Sequence, residues 1–254
     1  EVAIYNATRT IYGTARCYTA RLYTNKEHAS AETFTKSPEV GQPPARAVFK
    51  HHLREDIPTL NYNYHFSTMC YVGTDDLKSL KLDLGSQEDC GATFKQYINH
   101  AGTMAWSQFS YFPNQGRREG EYRSSPNLAF HDALSLILRG YPFDNPPPPL
   151  TLDILHDQTT NKHSPSEPEP VRVRYQDKET LDLPIGQILA HHLVLHRTIR
   201  STTRDPNNVA TCREDYWFAA DPALLHVMVQ YRSWDRRKIT YKLLSLQRRA
   251  YWRR

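Results

Sequence analysis

The sequence lacks the long apolar run that a membrane-spanning helix needs. No window approaches the roughly 18 consecutive apolar residues that identify such a helix. We therefore expect a protein that is peripheral to a membrane at most. The chain starts at Glu1 without Met and without a charged-then-apolar leader, which indicates either a processed mature chain or a trimmed one.

Cysteine is scarce and widely spaced, at Cys17, Cys70, Cys90 and Cys212. This spacing argues against a CxxC pair that binds zinc or exchanges disulfides. Free buried thiols and disulfides both stay open, and the sequence does not decide the pairing. The chain also has no internal repeat of fixed period and no rhythm of strands alternating with helices, so we do not expect a repeat protein or a parallel sheet.

Tyrosine, in contrast, is abundant. The chain has 16 Tyr, 9 Phe and 4 Trp against 10 Gly, and aromatic residues favour strands. We expect a single β-rich domain over residues 1–254, with a possible division into an N-terminal meander at 1–124 and a helix plus sheet at 125–254. The net charge of +5 permits an anionic partner without requiring one, and no specific nucleic acid is expected.

Alternating residues predict an antiparallel sheet. The clearest strand covers residues 61–73, where Tyr62, Tyr64 and Phe66 share one face. These three rings are either core or the lining of a ligand cavity. The polar, proline-containing segment 157–170 predicts a surface loop.

One amphipathic helix is predicted at about residues 126–139. A single apolar stripe recurs at helical spacing, formed by Phe130, Ala133, Leu134, Ile137 and Leu138. Ser125 is a suitable N-cap, and Gly140 a suitable left-handed end.

The other face of this helix carries His131, Asp132, Ser135 and Arg139. In a functional interpretation, Arg139 holds a carboxylate or phosphate while His131 acts as an acid or base. The alternative, which the sequence favours, is a solvated face or a buttress for sheet loops, because amphipathic helices need a polar face anyway.

Two other patterns suggest chemistry. A substrate-binding role for Gln87 and Glu88 stays open. Cys90, which follows soon after them, is not expected to be a catalytic thiolate. A reactive thiolate needs a cation or a helix N-terminus nearby, and the acidic neighbours of Cys90 supply neither. Adjacent strand residues point to opposite faces, so the pairs His51–His52 and His191–His192 predict no metal site. No cofactor is expected.

The second half of the chain resembles a bacterial family of domains of unknown function found in exported proteins. The resemblance covers roughly residues 125–252. It rests on three segments that follow one another in the chain in the same order: 130–136, Leu183-Pro184-Ile185-Gly186 and 216–222. The first half, with the segment 86–91 (SQEDCG), is similar to the front part of uncharacterised exported or lipid-anchored bacterial proteins. The resemblance implies a periplasmic, lipid-anchored or extracellular protein. It also implies an open half-barrel or sandwich around one helix, like that of lipoprotein carriers, and no known activity.

The preferred hypothesis is a non-catalytic envelope protein that binds an apolar or amphipathic ligand, such as a lipid, or a partner protein of the envelope. One alternative is a hydrolase-like enzyme using the polar helix face, and another is a structural subunit of a surface assembly. An enzyme should collect those side chains in a concave pocket. A carrier should show an apolar cavity with the polar helix face outside, and an assembly subunit a large apolar patch.

Overall fold

The computed structural model describes residues 1–37, 45–200 and 209–249. Within these residues, fifteen strands form one sheet that is not closed into a barrel. The strands are β1 (Val2–Ile11), β2 (Thr14–Ser30), β3 (Ala45–Pro58), β4 (Asn63–Gly73), β5 (Ser79–Glu88), β6 (Gly91–His100), β7 (Thr103–Ser110), β8 (Gly116–Arg123), β9 (Leu128–Phe130), β10 (Leu150–Leu155), β11 (Pro168–Leu183), β12 (Gly186–Arg200), β13 (Val209–Ala219), β14 (Met228–Ser233) and β15 (Thr240–Gln247). The mainly β, antiparallel fold predicted from the sequence is confirmed. Among the described residues, no helix has the length and apolar character needed to cross a membrane.

Two meanders meet in the middle of the sheet. The order runs from β8 back to β1, then from β15 back to β9, so the first and last strands are neighbours. All of these pairs are antiparallel except β9 with β10. The backbone N–H of Phe130, in the edge strand β9, donates to Ser79 Oγ at the start of β5, 2.9 Å away. The sheet therefore curves back on itself, and we call the side that it encloses the concave face.

Side-chain alternation fixes which residues reach the concave face. In β4, Tyr64, Phe66 and Cys70 are buried on one side, as the sequence pattern predicts. Tyr64 and Phe66 pack with Ile57 in a small cluster of their own, so they are core. All four cysteines lie in the described part of the chain and are free, with Cys70 and Cys212 buried.

The helical segment lies on the concave face and is shorter than predicted. It comprises a 3₁₀ turn (His131–Ala133), an α-helical turn α1 (Leu134–Ile137) and a second 3₁₀ turn (Leu138–Gly140). The three residues before it form β9 because they pair with β10, and Ser125 bonds the Asp153 carboxylate instead of capping the helix. Residues 126–130 are therefore not helical.

Gly140 ends the segment for a different reason from the one predicted. It is not among the residues with positive φ, and the following Tyr141 is extended. A Cβ at Gly140 would lie 2.6 Å from Leu77 Cδ1, so a larger residue here would have to displace the end of the Leu77 side chain.

The predicted apolar stripe is buried except for the half-buried Ile137, and part of the opposite side is buried too. Leu134 and Leu138 pack into the larger core cluster with β1 and β13. Phe130, Ala133 and also Leu136 pack into a second cluster with strands β4 to β6. Because the sheet curves around the helical segment, apolar residues are covered on both flanks.

The loop before β11 is partly interior, which corrects the predicted surface loop at 157–170. Gln158 and Thr159 are buried. The fully buried Lys95 holds this loop, because its Nζ donates to Gln158 O at 2.8 Å and to Ser164 Oγ at 2.9 Å. The loop therefore packs against β6 and continues the interior.

Lys95 should make stability depend on alkaline pH. Burial lowers its pKa from 10.5 to about 8, against the attraction of Asp157 and Asp132. From pH 8 to 10.5 the unfolded chain binds this proton more strongly than the folded chain, so stability rises with pH. We expect the free energy of unfolding, relative to Lys95→Met, to rise by about 1–3 kcal/mol over this range. Urea unfolding of both proteins at several pH values measures the effect, and a constant difference would contradict it.

Candidate functional site

A cavity of about 50 Å³ lies between the helical segment and the concave face. One water needs roughly 10–15 Å³ of such space, so the cavity has room for a few waters or a compact ligand. One part of its wall consists of aliphatic side chains and tyrosine rings: Tyr5, Leu22, Leu53, Tyr216, Met228, Tyr231, Ile239 and Tyr241. The rest, which we call the polar end, consists of Arg9, Glu55, His131, Asp132, Ser135, Asp157 and Thr159.

Three of the four predicted helix-face residues line this cavity. His131, Asp132 and Ser135 do so, whereas Arg139 does not. Their face is covered by strands and by the loop before β11, so the expectation of a solvated face is wrong for these three residues. Their burial follows from the curvature of the sheet, which a local sequence pattern does not contain.

Gln87 and Glu88 do not line the cavity. Gln87 is exposed in a surface groove, while Oε1 of Glu88 accepts hydrogen bonds from Ser86 Oγ and Asn161 Nδ2. Glu88 thereby ties the loop before β11 to β5. The structure does not bring these two residues together with the helix face.

His131 is held by a buried carboxylate of β13. Its Nε2 lies 2.8 Å from Glu214 Oε2, and Arg197 approaches the other oxygen at 3.7 Å. Burial alone would lower the pKa of His131, but Glu214 outweighs it and the pKa is raised. The pKa of Glu214 is lowered, because His131 and Arg197 outweigh its burial. The pair can therefore hold a proton in the interior.

The surroundings of Asp132 and Asp157 shift the pKa values of these two carboxyl groups in opposite directions. Burial and the nearby Asp157 raise the pKa of Asp132 to about 6, and its oxygens accept from Gln158 N at 3.1 Å and Thr159 Oγ1 at 3.0 Å. Burial acts in the same direction on Asp157, but Arg237 and His131 outweigh it and lower its pKa. Up to about pH 6, Asp132 can thus carry a proton while Asp157 stays charged.

Arg9 and Glu55 form a buried ion pair beside these acids. Their closest atoms are 3.5 Å apart, and both side chains are almost completely buried. Glu55 Oε1 also accepts from the hydroxyls of Tyr18 and Tyr241, and Arg9 donates to Thr159 O at 3.0 Å. This network fixes the charged groups at one end of the cavity.

Ser135 bonds a histidine, but in an arrangement that does not activate it. Ser135 Oγ lies 2.7 Å from His51 Nε2, and His51 Nδ1 lies 2.8 Å from Thr24 Oγ1. Burial, together with Arg139, lowers the pKa of His51 to about 3, so this imidazole is a weak base. A nucleophilic serine needs a base with a pKa closer to neutral.

Arg139 binds a carboxylate, and that carboxylate belongs to Glu1. Arg139 Nη2 donates to Glu1 Oε1 at 2.7 Å and Arg139 Nε to Ser135 O at 3.2 Å, while Arg248 Nε donates to Glu1 Oε2 at 3.0 Å. Arg139 therefore links the end of the helical segment to the chain ahead of β1. Its contacts account for a structural role.

We expect Arg139→Lys and Arg139→Ala to lower the free energy of unfolding by similar amounts, about 1–2 kcal/mol. A lysine ammonium keeps the charge but cannot bond Glu1 and Ser135 together in the planar geometry of a guanidinium. Denaturant unfolding measures both variants. Wild-type stability in Arg139→Lys together with loss in Arg139→Ala would show that charge alone matters.

Several buried polar atoms around the cavity have no hydrogen-bond partner in the described part of the chain. They include Arg9 Nη1, Tyr231 OH and Glu214 Oε1. Arg9 and Tyr231 both interact electrostatically with Asp157 and Arg237, which places them at the same end. Unsatisfied buried groups of this kind are uncommon and are often met by water or a ligand.

Most residues of the polar end were missed by the sequence analysis. Arg9, Glu55 and Asp157, together with Glu214 behind His131, come from distant parts of the chain. A single charged residue in a strand or loop resembles an exposed one. For Arg9 and Glu55, however, the alternation of residues along the strand does indicate burial. Arg9 continues the buried alternation of Ala3, Tyr5 and Ala7, and Glu55 lies between Leu53 and Ile57 in the same phase.

Comparison of the chain with protein-family models, curated proteins and solved structures finds no significant match.

Proposed function

We propose that the protein binds a small amphipathic molecule in the cavity between the helical segment and the concave face. One observation carries the proposal: aliphatic and tyrosine walls adjoin the buried polar end, and beside it the hydroxyl of Tyr231 has no hydrogen-bond partner in the described part of the chain. Binding sites are commonly apolar cavities with a few fixed polar groups. This hydroxyl suits a ligand with an apolar body and a hydrogen-bond acceptor at one end.

The size of the cavity limits the ligand. About 50 Å³ suits a compact molecule, whereas a lipid chain would require the helical segment and the sheet to separate. The resemblance to exported envelope proteins supports placing this activity in the cell envelope, as part of the same proposal. The polar helix face is inside rather than outside, so the ligand would contact His131 and Asp132.

The test uses acetate and acetamide, which are small enough for a cavity of about 50 Å³, share a methyl group and differ in the charge of the acceptor. Leu53→Phe should fill the cavity and abolish any rise in melting temperature that either compound causes. The matched control is Leu246→Phe, because Leu246 is also half-buried against the larger core cluster but does not line the cavity. Native mass spectrometry of protein purified from cells reports a bound natural ligand. The proposal would be rejected if the compounds changed the melting temperatures of the two variants equally and native mass spectrometry found no small molecule bound to the purified protein.

A specific observation also favours the enzyme alternative. The pKa of Asp132 is raised and that of Asp157 is lowered, and groups whose pKa values are pushed apart in one pocket can serve as acid and base. We propose Asp132 as the proton donor in this case. Turnover of chromogenic ester or glycoside substrates that is lost in Asp132→Asn would support it, and turnover unchanged in that variant would reject it.

A further inference from the structure

The polar end of the cavity contains three convergent donor groups. A ring nitrogen of His131 and one carboxylate oxygen from each of Asp132 and Asp157 all lie within 4.8 Å of one another. Imidazole and carboxylate together suit divalent transition ions. Three protein ligands with a further position for water are typical of catalytic zinc sites.

The neighbours of these donors resemble the outer shell of a metal site. Glu214 contacts His131 Nε2 at 2.8 Å, and a histidine that binds a metal commonly donates its second ring N–H to a carboxylate. Asp132 accepts from Gln158 N and Thr159 Oγ1, and Asp157 accepts from Thr159 N at 2.6 Å. Each carboxylate oxygen has two acceptor positions, so these bonds still leave lone pairs for an ion.

Arg237 does not remove Asp157 from this set. It pairs with Asp157 Oδ2, whereas Oδ1 accepts only the backbone N–H of Thr159 among the described residues. The guanidinium therefore orients the carboxylate from one side. The oxygen on the other side keeps a free acceptor position.

A separate observation points to a ligand at the same place. The Tyr231 side chain is 3% exposed, its hydroxyl has no partner in the described part of the chain, and its ring centroid is 6.4 Å from that of His131. Oε1 of Glu214, which lies 3.7 Å from Arg197 Nη2, is also buried without a hydrogen bond from the described residues. A water molecule bound to an ion beside His131 would give these atoms a partner.

We propose that His131, Asp132 and Asp157 bind a divalent transition ion, of the Zn²⁺ or Mn²⁺ class, at the polar end of the cavity. Glu214 bonds His131 Nε2, which leaves Nδ1 for the ion. The site lies within the cavity proposed for ligand binding but does not depend on a bound organic molecule.

The probe is Zn²⁺ alone, titrated by calorimetry into chelator-treated protein at neutral pH. We expect one ion per chain, with affinity reduced at least about tenfold in His131→Gln, Asp132→Asn and Asp157→Asn, and also in Glu214→Gln. The asparagine variants keep the shape of the side chain, so they report on the site even where the histidine variant does not fold. X-ray absorption of the zinc-loaded protein should show nitrogen and oxygen ligands and no sulfur, which separates this site from the exposed thiols Cys17 and Cys90.

The matched control is His192→Gln. His192 Nε2 also lies close to a carboxylate, 2.7 Å from Asp215, but on the opposite face of the sheet because its strand neighbour His191 is the one that points inward. This variant should bind Zn²⁺ like the wild type. Absence of stoichiometric binding, or affinity unchanged in folded Asp132→Asn and Asp157→Asn, would overturn the proposal. Zinc binding by a protein that binds neither acetate nor acetamide would reject the ligand proposal alone.

Discussion

Replacing Glu55 by alanine is expected to lower the free energy of unfolding by about 3–5 kcal/mol. The side chain is 1% exposed, and it pairs with Arg9, which is 4% exposed. It also accepts the hydroxyls of Tyr18 and Tyr241. Its removal leaves a buried guanidinium without a counter-charge and two buried hydroxyls without an acceptor, and each of these losses is destabilising.

Urea unfolding of Glu55→Ala measures this loss. Glu119→Ala is the control, because Glu119 forms its ion pair with Arg117 on the surface, where both side chains are more than half exposed. We expect the control to change stability by less than about 0.5 kcal/mol. A loss below about 1 kcal/mol for Glu55→Ala would mean that Arg9 finds another partner or reaches water.

Leu134→Ala is expected to cost about 2–5 kcal/mol. Leu134 is fully buried at the start of α1 and contacts the larger core cluster from inside the curved sheet. Truncation leaves a cavity that the surrounding strands cannot close without losing register, so the cost should lie toward the upper half of this range. Leu189→Ala, at a position that is 49% exposed, provides the comparison and should be nearly neutral.

The same unfolding experiment decides whether the helical segment organises the interior. A loss below about 0.5 kcal/mol for Leu134→Ala would show that the site is not tightly packed. Equal losses for Leu134→Ala and Leu189→Ala would show that burial is not what determines the cost. Either result would contradict the packing described here.

The strands and the buried apolar stripe of the helical segment could be predicted from the sequence, because both follow from local periodicity. The alternation in β4 and the burial of Leu134 and Leu138 were predicted correctly. The start of the helical segment was predicted wrongly, because the pairing of β9 with β10 overrides the helical tendency of residues 126–130. Pairing between distant segments is not visible in a local pattern.

The candidate site was only partly predictable for the same reason. His131, Asp132 and Ser135 were chosen because they share a helix face, and the structure places all three at the cavity. Arg139 shares that face in sequence but lies one turn further on, where it meets Glu1. The partners that give the site its charge come from β1, β3, β13 and the loop before β11, and only the curvature of the sheet brings them together.

The pairing of β1 with β15 also determines when the molecule can fold. Val2 lies opposite Gln247 in the centre of the sheet, so the contacts that join the two meanders are among the most distant in the chain. Arg9 and Tyr241, which contribute to the same cavity, come from these two strands. During synthesis each meander can form from neighbouring strands, but the cavity cannot exist until the last strand leaves the ribosome. Contacts of such long range make folding slow, and until they form the unpaired edges of β1 and β14 are exposed to other chains.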